Sequence, residues 1–405
     1  MNKKIIFLLL LLLYISVIAA VQKDRLWADE NRYIDYATNL SKGDYLPHYE
    51  DYLWNGPGYP VILAPFVFLK APLIIMRVLN AVFLFLAVYY FYLALKLYIP
   101  DGKALFVSSL YGIYPPFLRY IHLLLTEVLS VFLVSCFLYY FCKLHHEKEN
   151  KSRNIIVSSL VLGYLALTKI FFGYVLLALL LFYLLMNIFK RTEALKKTVL
   201  VYLCSLIFCI PYLFYTYSVT GEIFYWGNSG GSSLYWMSTP YDEELGDWHG
   251  GRQMKKNKQL SEHHQEIFNG LEKYSFTERD KKLKSLAMKN IVGHPLKFIK
   301  NWTANVGRLL FNYPYSYTEQ KLSTYFYILP NMFIVVFFVV CIYPAFLGRR
   351  LIPHEINGLL LFGLISFGGS SLLSAYNRQL WPLVPAFMLW ITFIMFNVLK
   401  VEVKR

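Results

Sequence analysis

Apolar residues in this chain fall in long uninterrupted runs, with little of the alternation of strands or the one-sided stripe of surface helices. Runs long enough to cross roughly 30 Å of hydrocarbon lie at 4–21, 72–96, 104–120, 122–142, 154–170, 171–189, 198–216, 325–347, 355–374 and 380–399. A backbone in lipid must satisfy its own hydrogen bonds, and a helix does so within one segment. The pattern therefore predicts an all-α polytopic membrane protein with about ten spans. Several runs are parted by only a few residues, which predicts helical hairpins. The first run is opened by Lys3 and Lys4 and closed by Ala19–Ala20. It is longer than the roughly 7–15 residues of a secretory signal core and reads as an uncleaved span.

Polar sequence is concentrated in two segments, 22–59 and 217–324. They divide the chain into an N-terminal transmembrane module (1–216) carrying the first loop, a long loop region (217–324), and C-terminal helices (325–405). Within the long loop, Ser261–Met288 and Pro295–Leu310 read as amphipathic helices. Basic residues sort by loop: Lys3 and Lys4; Lys96 and Lys103; Lys143, Lys148, Lys151 and Arg153; Lys190, Arg191, Lys196 and Lys197; Arg349 and Arg350; Lys400, Lys404 and Arg405. These are alternate loops of a ten-span arrangement, on the side of both termini. The positive-inside rule makes that side cytoplasmic and turns both long segments outward. The expected location is a cytoplasmic membrane, crossed many times.

Composition agrees: 57% of residues are hydrophobic and 16% charged, against about 25% charged in soluble domains. A net charge of +15 would suggest nucleic acid in a soluble protein. Here the charges flank apolar runs, so membrane lipids are the expected partner and nucleic acid is not. The five cysteines all lie in or beside apolar runs, with neither disulfide nor zinc spacing.

Candidate chemistry begins in the first outer segment. From Ala28 to Leu40 the spacing predicts an interfacial helix with Trp27, Tyr33, Tyr36 and Leu40 on one side. Asp29 and Glu30 open it, where the helix dipole favours a carboxylate. Neighbouring helical residues point about 100° apart, so the two cannot face the same point. Asn55-Gly56-Pro57-Gly58-Tyr59-Pro60 then predicts a turn that returns the loop to the membrane and holds the carboxylates over the bundle.

The order Asp29-Glu30-x-x-Tyr33, Gly43-Asp44, Pro57-Gly58-Tyr59-Pro60 and Arg77-x-x-Asn80-Ala81 resembles the membrane glycosyltransferases of the GT-C fold. It is most similar to bacterial relatives of protein O-mannosyltransferases and of the lipid A aminoarabinose transferase. Weaker matches follow in Pro115-Pro116, Thr126-Glu127, Thr220-Gly221-Glu222, Asn228-Ser229-Gly230-Gly231 and Arg378-x-x-x-Pro382-x-x-Pro385. The resemblance implies a polyprenyl-phosphate-sugar donor, a lipid, glycan or protein acceptor, and a cavity at the outer membrane face. It implies that Asp29 is a general base, with Glu30 bracing the loop or binding acceptor. Glu127 matches an acidic position that orients acceptor or base, and Tyr33, Tyr59 and His122 stand beside these motifs as candidate substrate contacts.

A departing phosphate needs cations. Arg77, Arg119, Lys169 and Arg378 stand at outer ends of spans, where a charge is costly and marks a functional candidate; snorkelling to headgroups is the competing explanation. Metal is an open possibility, because relatives can bind a divalent cation near the first loop. Their acidic position is here Trp54-Asn55, leaving Glu50, Asp51, His48 and His249 as weak substitutes. His145–His146 and His263–His264 read as ordinary polar histidines rather than ligands. Gly227–Gly251, with Trp226, Tyr235, Trp236 and Trp248, reads as a flexible aromatic loop, suited equally to sugar stacking and to interfacial anchoring. Competing functions are a polyprenyl-linked glycan ligase or polymerase and a lipid-linked sugar flippase. A flippase would show broken helices in matched halves, and the two halves share no pattern.

Overall fold

The computed structural model describes residues 3–27, 29–46, 51–147 and 150–399, and all regular structure among them is helical. In chain order the helices are α1 (Lys3–Val21), α2 (Glu30–Leu40), α3 (Gly58–Phe68), α4 (Leu73–Lys96), α5 (Asp101–Gly112), α6 (Pro115–Tyr120), α7 (Thr126–His146), α8 (Lys151–Thr168), α9 (Phe171–Lys190), α10 (Glu193–Phe208) and α11 (Ile210–Thr220). The long loop holds α12 (Gly230–Met237), α13 (Gly251–Lys256), α14 (Lys258–Leu271), α15 (Phe276–Gly293) and α16 (Pro295–Phe311). The chain ends on α17 (Tyr325–Leu347), α18 (His354–Ser371) and α19 (Val384–Phe393).

Among the described residues six helical segments are long and apolar enough to cross a membrane, or seven if α10 and α11, bent by 45°, form one span. The ten expected spans are not reached by this measure. The run 104–120 breaks at Ile113–Tyr114 into two short helices, because the residue before Pro115 is disfavoured in the α conformation. The runs 154–170 and 355–374 become α8 and α18, 18 residues each, with Asn154, Ser158, Ser159, Glu355 and Ser366 buried. Helices that face protein can carry such small and polar residues at their contacts, which lowers their mean hydropathy. α7 is buried along most of its length and packs against both α4 and α8.

Two ends of the bundle differ in character. At one, Lys3 and Lys96 approach Asp101, the Tyr98 hydroxyl donates to Glu355, and His145 and His354 both meet Thr198. The basic loops thus gather there. At the other end, the first loop and the long loop pack together. Asp51 accepts from the backbone N–H groups of Phe276 and Thr277 at 2.9 and 2.7 Å, opening α15, and Asn228 N–H donates to the Leu53 carbonyl at 3.0 Å. A second, smaller core built on Trp236, Leu260, Leu271 and Leu283 makes the long loop a helical subdomain. The stretch 227–251 is therefore not a flexible loop: Trp226, Tyr235 and Trp236 are buried, and Trp248 alone of its named aromatics faces the cavity described below.

The turn at 55–58 forms as expected, for a reason of space. A Cβ on Gly56 would sit 2.1 Å from the Leu167 carbonyl oxygen, and one on Gly58 would sit 2.4 Å from Thr168 Oγ1. Only glycine lets the loop press against the end of α8.

Candidate active site

Asp29 stands at the N-cap position of α2, and its side chain faces a cavity of about 720 Å³ between the first loop, the start of α7, the end of α8, the long loop and the segment before α19. The Arg378 guanidinium donates to Asp29 Oδ2 at 2.5 Å, and Arg32 donates to Oδ1 at 2.9 Å. Glu127, in the first turn of α7, receives Lys169 Nζ at 2.9 Å and faces Arg378 Nε at 3.6 Å. Its other oxygen, Oε2, is buried without a hydrogen-bond partner. Three cations, Arg32, Lys169 and Arg378, thus meet Asp29 and Glu127, and Asp247 is a third carboxylate in the lining, so formal charges in the cavity balance. Burial pushes the Asp29 carboxyl up, but Arg378 and Arg32 outweigh it and hold the group below its ordinary value.

The cations come from distant places. Lys169 stands just past α8, with non-helical backbone that turns its side chain back to α7. Arg378 lies in a short helical turn ahead of α19 and packs against the Tyr376 ring at 5.4 Å. Arg32 donates to Asn55 Oδ1 at 2.7 Å and lies over Trp54, while Asn55 also donates to the Tyr33 hydroxyl at 3.1 Å. Trp54 and Trp248 meet edge to face at 5.7 Å, and Asp247, Trp248 and Tyr376 complete the polar and aromatic wall.

Of the residues singled out from sequence, Asp29, Tyr33, Glu127, Lys169 and Arg378 share this cavity. Glu30, Tyr59, Arg77, Arg119 and His122 do not line it. Glu30 points into the wall, where it is fully buried and accepts from Trp27 N–H and Leu124 N–H at 2.8 Å each and from Arg77 at 3.2 Å. Arg77 also donates to the Lys23 and Arg25 carbonyls. Glu30 and Arg77 are thus a closed pair that braces the loop, and neither lines the cavity. Arg119 lies over Tyr120 and Tyr327. Tyr59 packs edge-on to Tyr33 at 5.5 Å and donates to Asn80 at 3.4 Å. His122 is partly buried beside the Glu30–Arg77 pair, with Nδ1 unpartnered. Trp27, expected on the apolar side of α2, precedes that helix and is 59% exposed.

Among the metal candidates, His48 and Glu50 lie outside the described residues. Asp51 is taken up in opening α15, and His249 is buried 3.5 Å from Asp247. Within the cavity Asp29 and Glu127 already face cations, Asp247 accepts from Ser316, and Asn55 is bonded to Arg32 and Tyr33. That donor set does not fit a divalent ion beside the first loop. Sequence reasoning missed Arg32, Asn55, Asp247 and Tyr376. Arg32 was within reach, since it sits three residues after Asp29 on one helix face; Asn55 was read only as part of the turn, and Asp247 and Tyr376 carry no local signal.

This arrangement of helices is similar to the GT-C fold of solved membrane glycosyltransferases. Residues 56–215 match the family described as dolichyl-phosphate-mannose-protein mannosyltransferase. The match includes Glu127 and Lys169, while Asp29 precedes it and Arg378 follows it. Among solved structures, the oligosaccharyltransferase of Archaeoglobus fulgidus in the apo form is 14% identical, with a TM-score of 0.57 over 97% of this chain and 50% of that one. The Saccharomyces cerevisiae protein O-mannosyltransferase Pmt1-Pmt2 complex, bound to the sugar donor, is 16% identical, with a TM-score of 0.42 over 59% of this chain and 36% of that one. ArnT from Cupriavidus metallidurans, bound to undecaprenyl phosphate, is 12% identical, with a TM-score of 0.45 over 97% of this chain and 77% of that one. The chain thus spans half the length of the archaeal enzyme and about a third of the yeast chain. No curated protein sequence matches it.

Proposed function

We propose that this chain is a glycosyltransferase that moves a sugar from a polyprenyl-phosphate donor to an acceptor hydroxyl on a lipid, glycan or protein. The reading rests on one observation above all: Asp29 and Arg378 meet in a cavity that also holds Glu127 and Lys169, so that a carboxylate stands beside two cations able to receive a phosphate. The matched family is described as dolichyl-phosphate-mannose-protein mannosyltransferase, and a solved structure of the archaeal oligosaccharyltransferase holds a dolichol-phosphate, which supports the donor class.

In this reading the donor phosphate takes the guanidinium of Arg378, through paired hydrogen bonds, and the ammonium of Lys169. The acceptor hydroxyl lies against Asp29 Oδ2. Its oxygen attacks the anomeric carbon, Asp29 takes the proton, and the bond from that carbon to the phosphate oxygen breaks with its electron pair on the phosphate. The phosphate leaves as an anion, so no acid is required. A carboxylate held by two guanidinium groups is a weak base. Donor binding relieves this, because a phosphate that draws Arg378 away leaves Asp29 more basic. Glu127, with one oxygen unpartnered, positions Lys169 and Arg378 and can accept a sugar hydroxyl.

The cavity opens at the end of the bundle opposite the basic loops. By the positive-inside rule that end is extracytoplasmic in a cytoplasmic membrane, with both termini inside. The test is transfer of a monosaccharide from a synthetic polyprenyl-phosphate sugar by the purified full chain in lipid nanodiscs. Absence of transfer to every class of acceptor, alongside intact donor binding, would point to a flippase or a non-catalytic relative.

A further inference from the structure

Away from the cavity, Glu244, His263 and His264 converge in the outer subdomain. Glu244 sits in the loop after α12, and the histidines are consecutive on α14. Consecutive helical side chains diverge by about 100°, yet both rings here reach one carboxylate. His263 Nδ1 lies 2.9 Å from Glu244 Oε1, and His264 Nε2 lies 3.0 Å from each carboxylate oxygen. One ligand atom from each residue lies within 4.8 Å of the other two. Glu244 and His264 are 1% exposed, and His263 is partly open.

Each group is held from behind. The Thr239 hydroxyl donates to Glu244 Oε2. His264 Nδ1 is 2.7 Å from the Tyr235 hydroxyl. His263 is stacked flat on Tyr241, with ring centroids 3.6 Å apart. An ion pair alone accounts poorly for this: one buried carboxylate needs one cationic partner, and two imidazole nitrogens aimed at the same oxygen repeat a single interaction. Two imidazoles and a carboxylate are instead a recurring ligand set for zinc, with a fourth position left to water. Imidazole–carboxylate donors suit zinc and its first-row neighbours rather than magnesium or calcium. The Tyr235 hydroxyl, by accepting Nδ1–H, would fix the His264 tautomer that ligates through Nε2, as outer partners of metal histidines do.

We infer that Glu244, His263 and His264 bind one divalent transition-metal ion of the zinc class, which fastens the loop after α12 to α14. The same loop carries Asp247 and Trp248 to the cavity wall, so the ion steadies that wall from outside. No first-loop residue takes part, and the inference stands whether or not the cavity transfers sugar.

The test uses the full chain, freed of any affinity tag, stripped with a chelator and titrated with Zn²⁺ or Co²⁺. The expected result is one ion per chain by elemental analysis, ligand-field absorption of a nitrogen–oxygen Co²⁺ site, and a thermal midpoint raised by Zn²⁺ and lowered by chelator. His264→Ala and Glu244→Gln should abolish all three. His263→Gln, at a partly exposed position that a folded chain tolerates, should weaken binding at least tenfold, and Tyr235→Phe should weaken it about 10–100-fold. A wild-type chain that takes up no Zn²⁺ or Co²⁺, or a His263→Gln chain that binds as tightly as wild type, would overturn the site and leave a hydrogen-bonded cluster only.

Discussion

Arg378 Nη2 lies 2.5 Å from Asp29 Oδ2, a contact between residues 349 positions apart in the chain. It closes the cavity by tying the segment before the last span to the loop after the first. It also pairs the group proposed as base with a group proposed to receive phosphate, so the two roles are coupled before substrate arrives.

Asp29→Asn keeps the shape of the side chain and removes the base. Sugar transfer should fall about 10²–10⁴-fold, the usual contribution of positioned proton transfer. Donor affinity should be no weaker than in wild type, because Arg378 is then released from a carboxylate. Equilibrium binding of a polyprenyl-phosphate alongside turnover separates the two; unchanged turnover would remove Asp29 from the chemistry.

Arg378→Ala should act on the donor. Charged hydrogen bonds are worth about 1.5–3 kcal/mol, which converts to roughly 10–100-fold in donor affinity. Lys169→Ala should do the same to a similar degree. The double variant should lose less than the sum, because both cations meet Glu127 and groups in one network are coupled. Additive losses would argue that they hold different groups.

The pH dependence follows from Asp29. Its carboxyl sits below its ordinary value of 3.8 because Arg378 and Arg32 outweigh the opposing effect of burial. A group depressed in the folded state contributes stability above its unfolded value and loses it as pH falls through the folded value. Wild type and Asp29→Asn should therefore keep a constant stability difference through neutral and mildly acidic pH, narrowing only below 3.8. With donor bound, phosphate competes for Arg378 and the carboxyl rises. The acid limb of kcat should accordingly lie at higher pH than that of kcat/KM, since the former reports the substrate complex. Coincident limbs would mean that Arg378 stays on Asp29 throughout.

Glu30 and Arg77 predict a loss of a different kind. Both are essentially buried, and removing one partner leaves an uncompensated charge. Arg77→Met or Glu30→Gln should cost about 3–5 kcal/mol, read as a lower thermal midpoint and poor yield. The double variant should recover part of it. Turnover per folded molecule should stay within a few-fold of wild type; a specific loss of donor binding in Arg77→Met would restore this arginine to the phosphate site.

Asp51 couples the two outer segments. Its carboxylate accepts from both first backbone N–H groups of α15, a capping contact worth about 0.5–2 kcal/mol. Asp51→Ala should loosen the outer subdomain and speed proteolysis between α14 and α15. Unchanged cleavage there would show that the surrounding core suffices.

Much was legible in local sequence. Long apolar runs, the helix at 295–310, the helical character of 261–288 (which the fold breaks at 272–275, where Ser275 and Glu278 cap a new helix), the glycine-rich turn and the opposite orientation of Asp29 and Glu30 follow from periodicity and from the geometry of one helix. Sequence could not count the spans by length alone, because α8 and α18 pack against protein and tolerate polar residues that a lipid-facing helix would not. Nor could it sort four equivalent cations. Arg77, Arg119, Lys169 and Arg378 all stand at ends of spans, and only packing turns the last two into the cavity while Glu30 claims the first. The pairing of Asp29 with Arg378 and the meeting of Glu244 with His263 and His264 were likewise decided by tertiary structure. Hydrophobic pattern is a property of neighbours along the chain, whereas a charge acquires its role from whichever partner the folded bundle brings within a few ångströms.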